Sequence, residues 1–174
     1  MIIKDNDFPA KEYELFLKYS EAIGLDRTMV QAAGGNTSLK EGDTMWIKAS
    51  GKWLVDARSS ELMVPVSISK IKDALKDNNC SYDDILKSID LKISPEGLRP
   101  SVETPMHAAL DFKFIFHTHD INVNALAVQK NSQMKFEEIL SDLNWKFIPY
   151  VTPGVELSYK LMQIKSAKDN VFIL

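Results

Sequence analysis

The sequence is poor in cysteine and has no excess of basic residues, and each scarcity removes a class of function. A single cysteine, Cys80, excludes an intrachain disulfide and a cysteine-rich zinc site. Its polar surroundings favour an ordinary surface or half-buried thiol over a nucleophile. A net charge of −3 gives no electrostatic basis for nucleic-acid binding, so we expect no nucleic-acid partner.

Long apolar runs and targeting patterns are also missing. The start, MIIKDNDFPAKEY, lacks the basic-then-apolar order of a secretory signal peptide. No run approaches the roughly 18 apolar residues of a membrane span. These absences predict a cytoplasmic protein without a membrane partner. The length of 174 residues suits one domain with a substantial core.

Helical and strand patterns alternate along the chain and predict a layered α/β domain. The first helix is expected between Pro9 and Gly24, which punctuate its two ends. Residues 31–43 are predicted to be a turn region, and Pro65 indicates an edge or an irregularity in its strand. Further helices are predicted at residues 69–77, 82–89, 105–110 (with Thr104 as its cap), 121–129 and 153–167. Strands are predicted at residues 44–50, 61–67, 113–119, 146–151 and 170–174.

Two of the three histidines, His117 and His119, fall one residue apart at the end of an apolar strand pattern. Alternate strand residues share a face, so both imidazoles should project on the side of Ile115. Two imidazoles at this spacing can chelate one metal ion, which would need a third or fourth ligand. The alternative is a polar strand end whose histidines are satisfied by hydrogen bonds.

The stretch RPSVETPMHAAL places Glu103 and His107 four residues apart, on one face of a predicted helix. A glutamate near a helix start is favoured by the helix dipole, so a purely structural pair is one interpretation. In the other interpretation, Glu103 approaches a metal ion and serves as a ligand or a base.

Two small-residue turns are candidate anion sites. In AAGGNTSLK, glycines 34 and 35 permit close backbone approach, and Asn36, Thr37 and Ser38 offer side-chain donors. In IKASGKWL, Ser50 and Gly51 are candidate donors. Neither stretch has the spacing of a P-loop or a dinucleotide fingerprint, and a plain tight turn explains each equally well.

Taken in order, the stretches GGNTS, WIKASGKWL, RPSVETPMHAAL, FIFHTHD and PYVTPG resemble the class II aldolase/adducin family over roughly residues 10–174. The sequences of these motifs are most similar to those of the sugar-metabolic branch that includes rhamnulose-phosphate and fuculose-phosphate aldolase-like domains. The resemblance implies a three-layer α/β/α fold with a mostly antiparallel central sheet. It also implies a homo-oligomer, usually a tetramer, that uses a divalent metal, typically Zn²⁺.

Carried over residue by residue, the resemblance implies that His117, His119 and Glu103 hold the metal and that Glu103 moves protons. It implies phosphate or substrate binding at Gly35, Asn36, Ser50, Gly51 and Ser101. Val102 replaces the second serine of the family's usual pair, which removes one hydroxyl from the phosphate site. His107 matches a helix position that is not usually a ligand.

The family's third histidine follows a strand resembling NVFIL, in an Asn-His-Gly stretch, and this sequence ends at Leu174. We therefore expect one domain over residues 1–174 that lacks its C-terminal part and whose activity alone is low or absent. The expected reaction is aldolase-type cleavage of a sugar phosphate or related hydroxy-carbonyl compound, with Lewis-acid stabilisation of an enediolate. An epimerase or dehydratase of the same family, or a non-enzymatic adducin-like binding module, is the alternative.

Overall fold

The computed structural model describes residues 10–174, with a four-stranded antiparallel sheet beside a two-stranded parallel sheet. The helices are α1 (Ala10–Leu25), α2 (Ile68–Ala74), α3 (Tyr82–Leu86), α4 (Thr104–Ala109), α5 (Ile121–Ala127), α6 (Ser132–Ile139) and α7 (Val155–Ile164). The strands are β1 (Asn36–Glu41), β2 (Thr44–Lys48), β3 (Met63–Ser67), β4 (Phe114–His117), β5 (Trp145–Phe147) and β6 (Val171–Ile173). The expected helix start at Pro9 lies outside the described residues.

The larger sheet has the strand order β3-β2-β1-β4, and every neighbouring pair is antiparallel. Pro65 lies in β3 at one edge of this sheet, which confirms the prediction that this proline marks an edge strand. The prediction of a turn over residues 31–43 was wrong for β1, a central strand. Its first three residues, Asn36, Thr37 and Ser38, are polar and buried, and their side chains have partners inside the protein; the hydroxyl groups of Thr37 and Ser20, for example, are 2.8 Å apart and hydrogen-bonded.

Alternation along the strands directs apolar side chains to both faces of the sheet. Leu39, Trp46 and Met63 pack against Phe16 of α1 on one face. Met45, Ile47, Val64 and Val66 form the core on the other face, together with residues of α2, α3 and α4 such as Ile71, Ile85 and Ala108. Helices therefore cover both faces, which confirms the three-layer arrangement with an antiparallel central sheet.

A third core joins α4 and α7 to β4 and to the segment that follows β5. Its buried residues are Met106, Leu110, Ile115, Ile148, Leu157 and Leu161. The strand predicted at residues 146–151 is present in part. The observed strand, β5, is shorter, begins one residue earlier and covers residues 145–147 only. Helix α6 was not predicted, and the strand predicted at residues 170–174 is confirmed as β6. None of the helices described over residues 10–174 is both long and apolar enough to cross a membrane.

Candidate metal and substrate site

The two spaced histidines lie at the end of β4 with their rings close together. The ring centroids of His117 and His119 are 5.2 Å apart, and the ring planes are tilted by 54°. The prediction of a strand through His119 was wrong by two residues. β4 ends at His117, and the backbone N–H of His119 donates to the carbonyl of Met29 at 2.8 Å. The chain thus leaves the sheet while the two imidazoles stay close to each other.

Sheet register brings Asn36 beside the first histidine. Asn36 of β1 is the direct cross-strand partner of His117. Its Nδ2 donates to Oε2 of Glu103 at 2.6 Å, and Nδ1 of His117 lies 2.9 Å from the same oxygen. Three segments far apart in the sequence therefore meet at one carboxylate oxygen.

Helix α4 positions that carboxylate from its first turn. Glu103 is the N-cap of α4, and its backbone N–H donates to Oγ of Ser101 at 3.3 Å. The prediction that Thr104 caps this helix was wrong. Thr104 is the first helical residue, and its hydroxyl donates to the carbonyl of Ser101 at 2.6 Å because its side chain points back into the buried turn.

The carboxyl group of Glu103 is held in its ionised form. Burial raises its pKa, but contact with His117 and the hydrogen bond from Asn36 more than offset that effect and hold the pKa at about 2. Burial, and secondly the neighbouring His117, lowers the pKa of His119. A buried anion beside an imidazole that favours the neutral state is an environment suited to a cation.

The donor atoms of this cluster fit a divalent metal ion in part. Nδ1 of His117 and Oδ1 of Asn36 are buried without a hydrogen-bond partner among the described residues. Zinc lies about 2.0–2.2 Å from its nitrogen and oxygen ligands, so two ligands of one tetrahedral ion are about 3.3–3.6 Å apart. The 2.9 Å contact between His117 and Glu103 is shorter than that separation and is a direct ion-pair contact, so the two groups would have to move apart slightly to share an ion. Within residues 10–174, no three His, Cys, Asp or Glu side chains form a complete group that could hold a metal.

His107, which sequence analysis set beside Glu103, is a core residue with a different role. It is fully buried, and its Nδ1 hydrogen-bonds Oγ of Ser38 at 2.7 Å. Burial, followed by the charge of His117, lowers the pKa of His107 to about 3. The hydrogen bond also explains why Ser38 is buried in a central strand.

Because the neutral ring of His107 is buried, we expect the protein to lose stability in mild acid. The folded state keeps this ring neutral down to about pH 3, whereas the unfolded chain binds a proton below pH 6.5. The unfolded state therefore binds more protons in this window, and the free energy of unfolding falls with falling pH by at most ~1.4 kcal/mol per pH unit. Urea unfolding between pH 7 and 5 measures the slope.

The matched variant for this measurement is His107→Gln, which keeps a hydrogen-bonding partner for Ser38 and removes the titration. Glu103, with its lowered pKa, adds its own loss of stability only below about pH 4.5, its ordinary value, so the window from pH 7 to 5 isolates the histidines. We expect a flatter pH dependence in His107→Gln. Equal slopes in the two proteins would contradict the assignment.

The double-glycine turn brings the backbone against both histidines. Gly35 has φ +64°, and a Cβ atom there would lie 2.6 Å from Cγ1 of Val30 and 2.8 Å from the carbonyl oxygen of His117. A Cβ atom on Gly34 would lie 2.9 Å from Nδ1 of His119. Glycine at position 35 is therefore required both by its backbone conformation and by close packing.

The second candidate turn is joined to the cluster through the backbone. Ser50 and Gly51 are exposed, and the N–H of Ser50 donates to the carbonyl of Arg99 at 2.8 Å. Ser101 is buried, and its N–H donates to the carbonyl of Lys48 at 3.1 Å. The structure thus gathers Asn36, Glu103, His117 and His119 into one cluster, with the turn at Ser50 and Gly51 beside it. Val102 is exposed.

Sequence analysis missed Lys48, although its motif was noted. Its side chain is 2% exposed, and its Nζ donates to the carbonyl oxygens of Ala33 at 2.9 Å and Lys52 at 2.6 Å. Those two acceptors lie in the two candidate anion-binding turns. The available signal was a lysine inside the otherwise apolar strand MWIKA.

A groove of about 650 Å³ opens beside the histidines. Glu103, His117 and His119 line it on one side. The remaining walls are largely apolar and come from α4, β4, α5, the segment after β5, α7 and β6, including Met106, Phe114, Tyr150, Leu157 and Phe172. The polar cluster therefore faces a space large enough for a small substrate.

The model of the Class II Aldolase and Adducin N-terminal domain matches residues 15–174. The chain belongs to this family. The N-terminal class II aldolase domain of a conserved Thermoplasma acidophilum protein is similar in structure, with a TM-score of 0.77 and 27% identity over 91% of this chain and 78% of that one. L-fuculose-1-phosphate aldolase from Thermus thermophilus shares the fold, with a TM-score of 0.52 and 15% identity over 90% of this chain and 71% of that one.

A curated Bacillus subtilis protein named uncharacterized oxidoreductase YuxG is 29% identical over 158 residues. That match covers 85% of this chain and 23% of the relative. The chain therefore spans about a quarter of the length of this relative. These findings confirm the predicted family and fold for the class II aldolase domain described here.

Proposed function

We propose that this class II aldolase domain forms the metal-binding part of an enzyme that cleaves a phosphorylated sugar, or a related hydroxy-carbonyl compound, next to its carbonyl group. The observation that carries the proposal is the meeting of His117, His119 and an ionised Glu103 at one end of a groove. We further propose that the enzyme is a homo-oligomer, as the family resemblance implies, and that it is cytoplasmic, as the sequence pattern predicts.

His117 and His119 would hold the divalent ion, with Zn²⁺ favoured by imidazole and carboxylate donors, and further ligands would complete the set. When bound, the ion supplies Lewis acidity to the oxygen atoms of the substrate. Asn36 holds the carboxylate of Glu103 in place through its 2.6 Å hydrogen bond. Glu103 lies at the groove wall, where it can accept a proton from the substrate or complete the ligand set.

A phosphate group would bind at the small-residue turns next to this cluster. Gly35 and Asn36 contribute one turn, Ser50 and Gly51 the second, and Ser101 a neighbouring hydroxyl. Exposed backbone N–H groups in such turns favour an anion. The apolar part of the groove would then receive the carbon skeleton beyond the reacting centre.

An assay for metal-dependent aldehyde release tests this function. The intact protein is stripped with a chelator, reconstituted with Zn²⁺ and given a panel of ketose 1-phosphates, while coupled detection follows the aldehyde product. We expect turnover that returns with Zn²⁺ and falls by ~10²–10⁴-fold in Glu103→Gln, the range for loss of a general acid or base.

Isomer formation without aldehyde would instead identify an epimerase, and loss of water would identify a dehydratase. A protein with neither turnover nor zinc binding would contradict the enzyme assignment and favour an adducin-like binding module. Glu137→Gln serves as the charge control, because it also replaces a carboxylate with an amide and this exposed α6 residue hydrogen-bonds only Gln133 of its own helix among the described contacts.

A further inference from the structure

Two polar side-chain pairs join helix α4 to the central strand β1. Asn36 donates to the carboxylate of Glu103 at 2.6 Å. Ser38 is hydrogen-bonded to Nδ1 of His107 at 2.7 Å. The strand residues are two apart and the helix residues four apart, so each pair of residues shares one face of its element. Two strand residues span about 6.8 Å and four helix residues rise about 6 Å, so both hydrogen bonds can form together.

The ring of His107 has one polar contact, and that contact is with the strand. His107 and Ser38 are both fully buried. Nε2 of the ring has no hydrogen-bond partner among the described residues, so Ser38 is the one side-chain partner that the structure shows for it. Burial lowers the pKa of the ring to about 3, which leaves it neutral at pH 7. His107 therefore acts on its surroundings through this hydrogen bond and not through charge.

Helix α4 has little else that fixes its rotation close to Glu103. It has only six residues, all of them buried, and a helix this short has little stability of its own. Its apolar contacts reach two cores, but such contacts have no preferred direction. Lys40 and Lys165 donate to backbone carbonyls at its C-terminal end, which is the end away from Glu103. A directed hydrogen bond one turn after Glu103 can fix both the rotation and the position of the helix.

The contacts of the Glu103 carboxylate leave little room for movement of this helix. A shift of one residue along α4 moves its side chains by about 1.5 Å and turns them by about 100°. N–H···O hydrogen bonds extend only to about 3.2 Å, so this shift would separate Glu103 from Asn36. It would also change the 2.9 Å contact of Glu103 with Nδ1 of His117. A misplacement of about 1 Å in an active site can cost ~100-fold in rate.

We propose that His107 is a positioning residue for the candidate metal site. Its hydrogen bond to Ser38 fixes α4 on β1, and this keeps the Glu103 carboxylate on Asn36. The inference rests on the proposed function, in which Glu103 serves the metal ion or the substrate.

Nuclear magnetic resonance of the Asn36 side-chain amide tests the inference in the metal-free wild type, His107→Leu and Ser38→Ala. An amide proton in a charge-assisted hydrogen bond to a carboxylate resonates downfield of a free amide proton. We expect the Asn36 signal to move upfield in both variants, because the Glu103 carboxylate leaves it. We also expect both variants to bind zinc ~10–100-fold more weakly, the range for residues that support a metal ligand. A loss of stability alone would move neither reading in the folded protein.

Ser20→Ala is the matched control for loss of a buried serine that contacts β1. Ser20 is fully buried, and its hydroxyl is hydrogen-bonded to that of Thr37 at 2.8 Å. Thr37 faces α1, on the side of the strand opposite to Ser38. We expect Ser20→Ala to lose stability and to keep the wild-type Asn36 signal and zinc affinity. His107→Gln should also keep both readings, because its side-chain amide can still bond Ser38.

An unchanged Asn36 signal in folded His107→Leu or folded Ser38→Ala would overturn the inference, as would an equal shift in Ser20→Ala. Circular dichroism establishes that each variant is folded, and either of the first two suffices for the test. Unchanged zinc affinity in these variants of a zinc-binding wild type would also overturn it. A wild type that binds no zinc would contradict the proposed function alone, since the resonance measurement needs no metal and still decides the role of His107.

Discussion

Replacing His117 with alanine is expected to weaken zinc binding by more than ~100-fold, since even residues that only support a metal ligand cost 10–100-fold. The imidazole lies between its neighbour His119 and the carboxylate of Glu103, so its loss removes a donor that no nearby side chain replaces. Zinc content after dialysis and competition titration with a chromogenic chelator measure the effect. The substitution also leaves the Glu103 carboxylate without its imidazole neighbour.

Thr118→Ala is the control, because it changes the same short segment and leaves both imidazoles in place. We expect it to retain zinc like the wild type. His119→Ala should also weaken zinc binding, because each imidazole supplies one donor to the same ion. Zinc content that does not change in His117→Ala would refute the proposed ligand assignment.

Replacing Gly35 with alanine is expected to lower the free energy of unfolding by about 2–5 kcal/mol, from left-handed backbone strain and overpacking together. The new methyl group would meet Val30 at 2.6 Å and the carbonyl oxygen of His117 at 2.8 Å. Neither can move freely, because Val30 is buried and the carbonyl belongs to β4. Urea unfolding followed by circular dichroism measures the change.

Gly42→Ala separates the two contributions. Gly42 has φ +56° in the β1–β2 hairpin, but a Cβ atom there meets nothing within 4 Å. Its substitution should therefore cost only the backbone strain, about 1–2 kcal/mol. If Gly35→Ala were no more destabilising than Gly42→Ala, the close packing of this turn against His117 would be excluded as a cause.

The sequence predicted the elements that have one dominant local signal. Short apolar runs located β2 and β3, Pro65 indicated the edge strand, and the helical spacing around Phe16 located α1. The strand β1 was missed because its buried residues are polar, and local patterns assign polar residues to turns. Only the partners supplied by other segments, such as Ser20 for Thr37, make that strand stable inside the sheet.

Local sequence signals likewise predicted only part of the candidate site. The spacing of His117 and His119 indicated a shared side, and Glu103 was selected through its place in the ordered family motifs. The sequence could not show that Asn36 is the cross-strand partner of His117, because sheet register depends on contacts between distant segments. Lys48 was missed for the same reason, since its acceptors lie in two separate turns.

Taken by itself, the sequence determined the alternating α/β pattern, the ordered motifs that identify the family, and the residue types available for metal and anion binding. The tertiary structure alone decided which of these residues meet. It placed Glu103, Asn36 and His117 at one carboxylate, buried His107 against Ser38 instead, and set a charged lysine beneath two turns. Chemistry at a site depends on distances of a few ångströms, and those are set by packing between segments far apart in the chain.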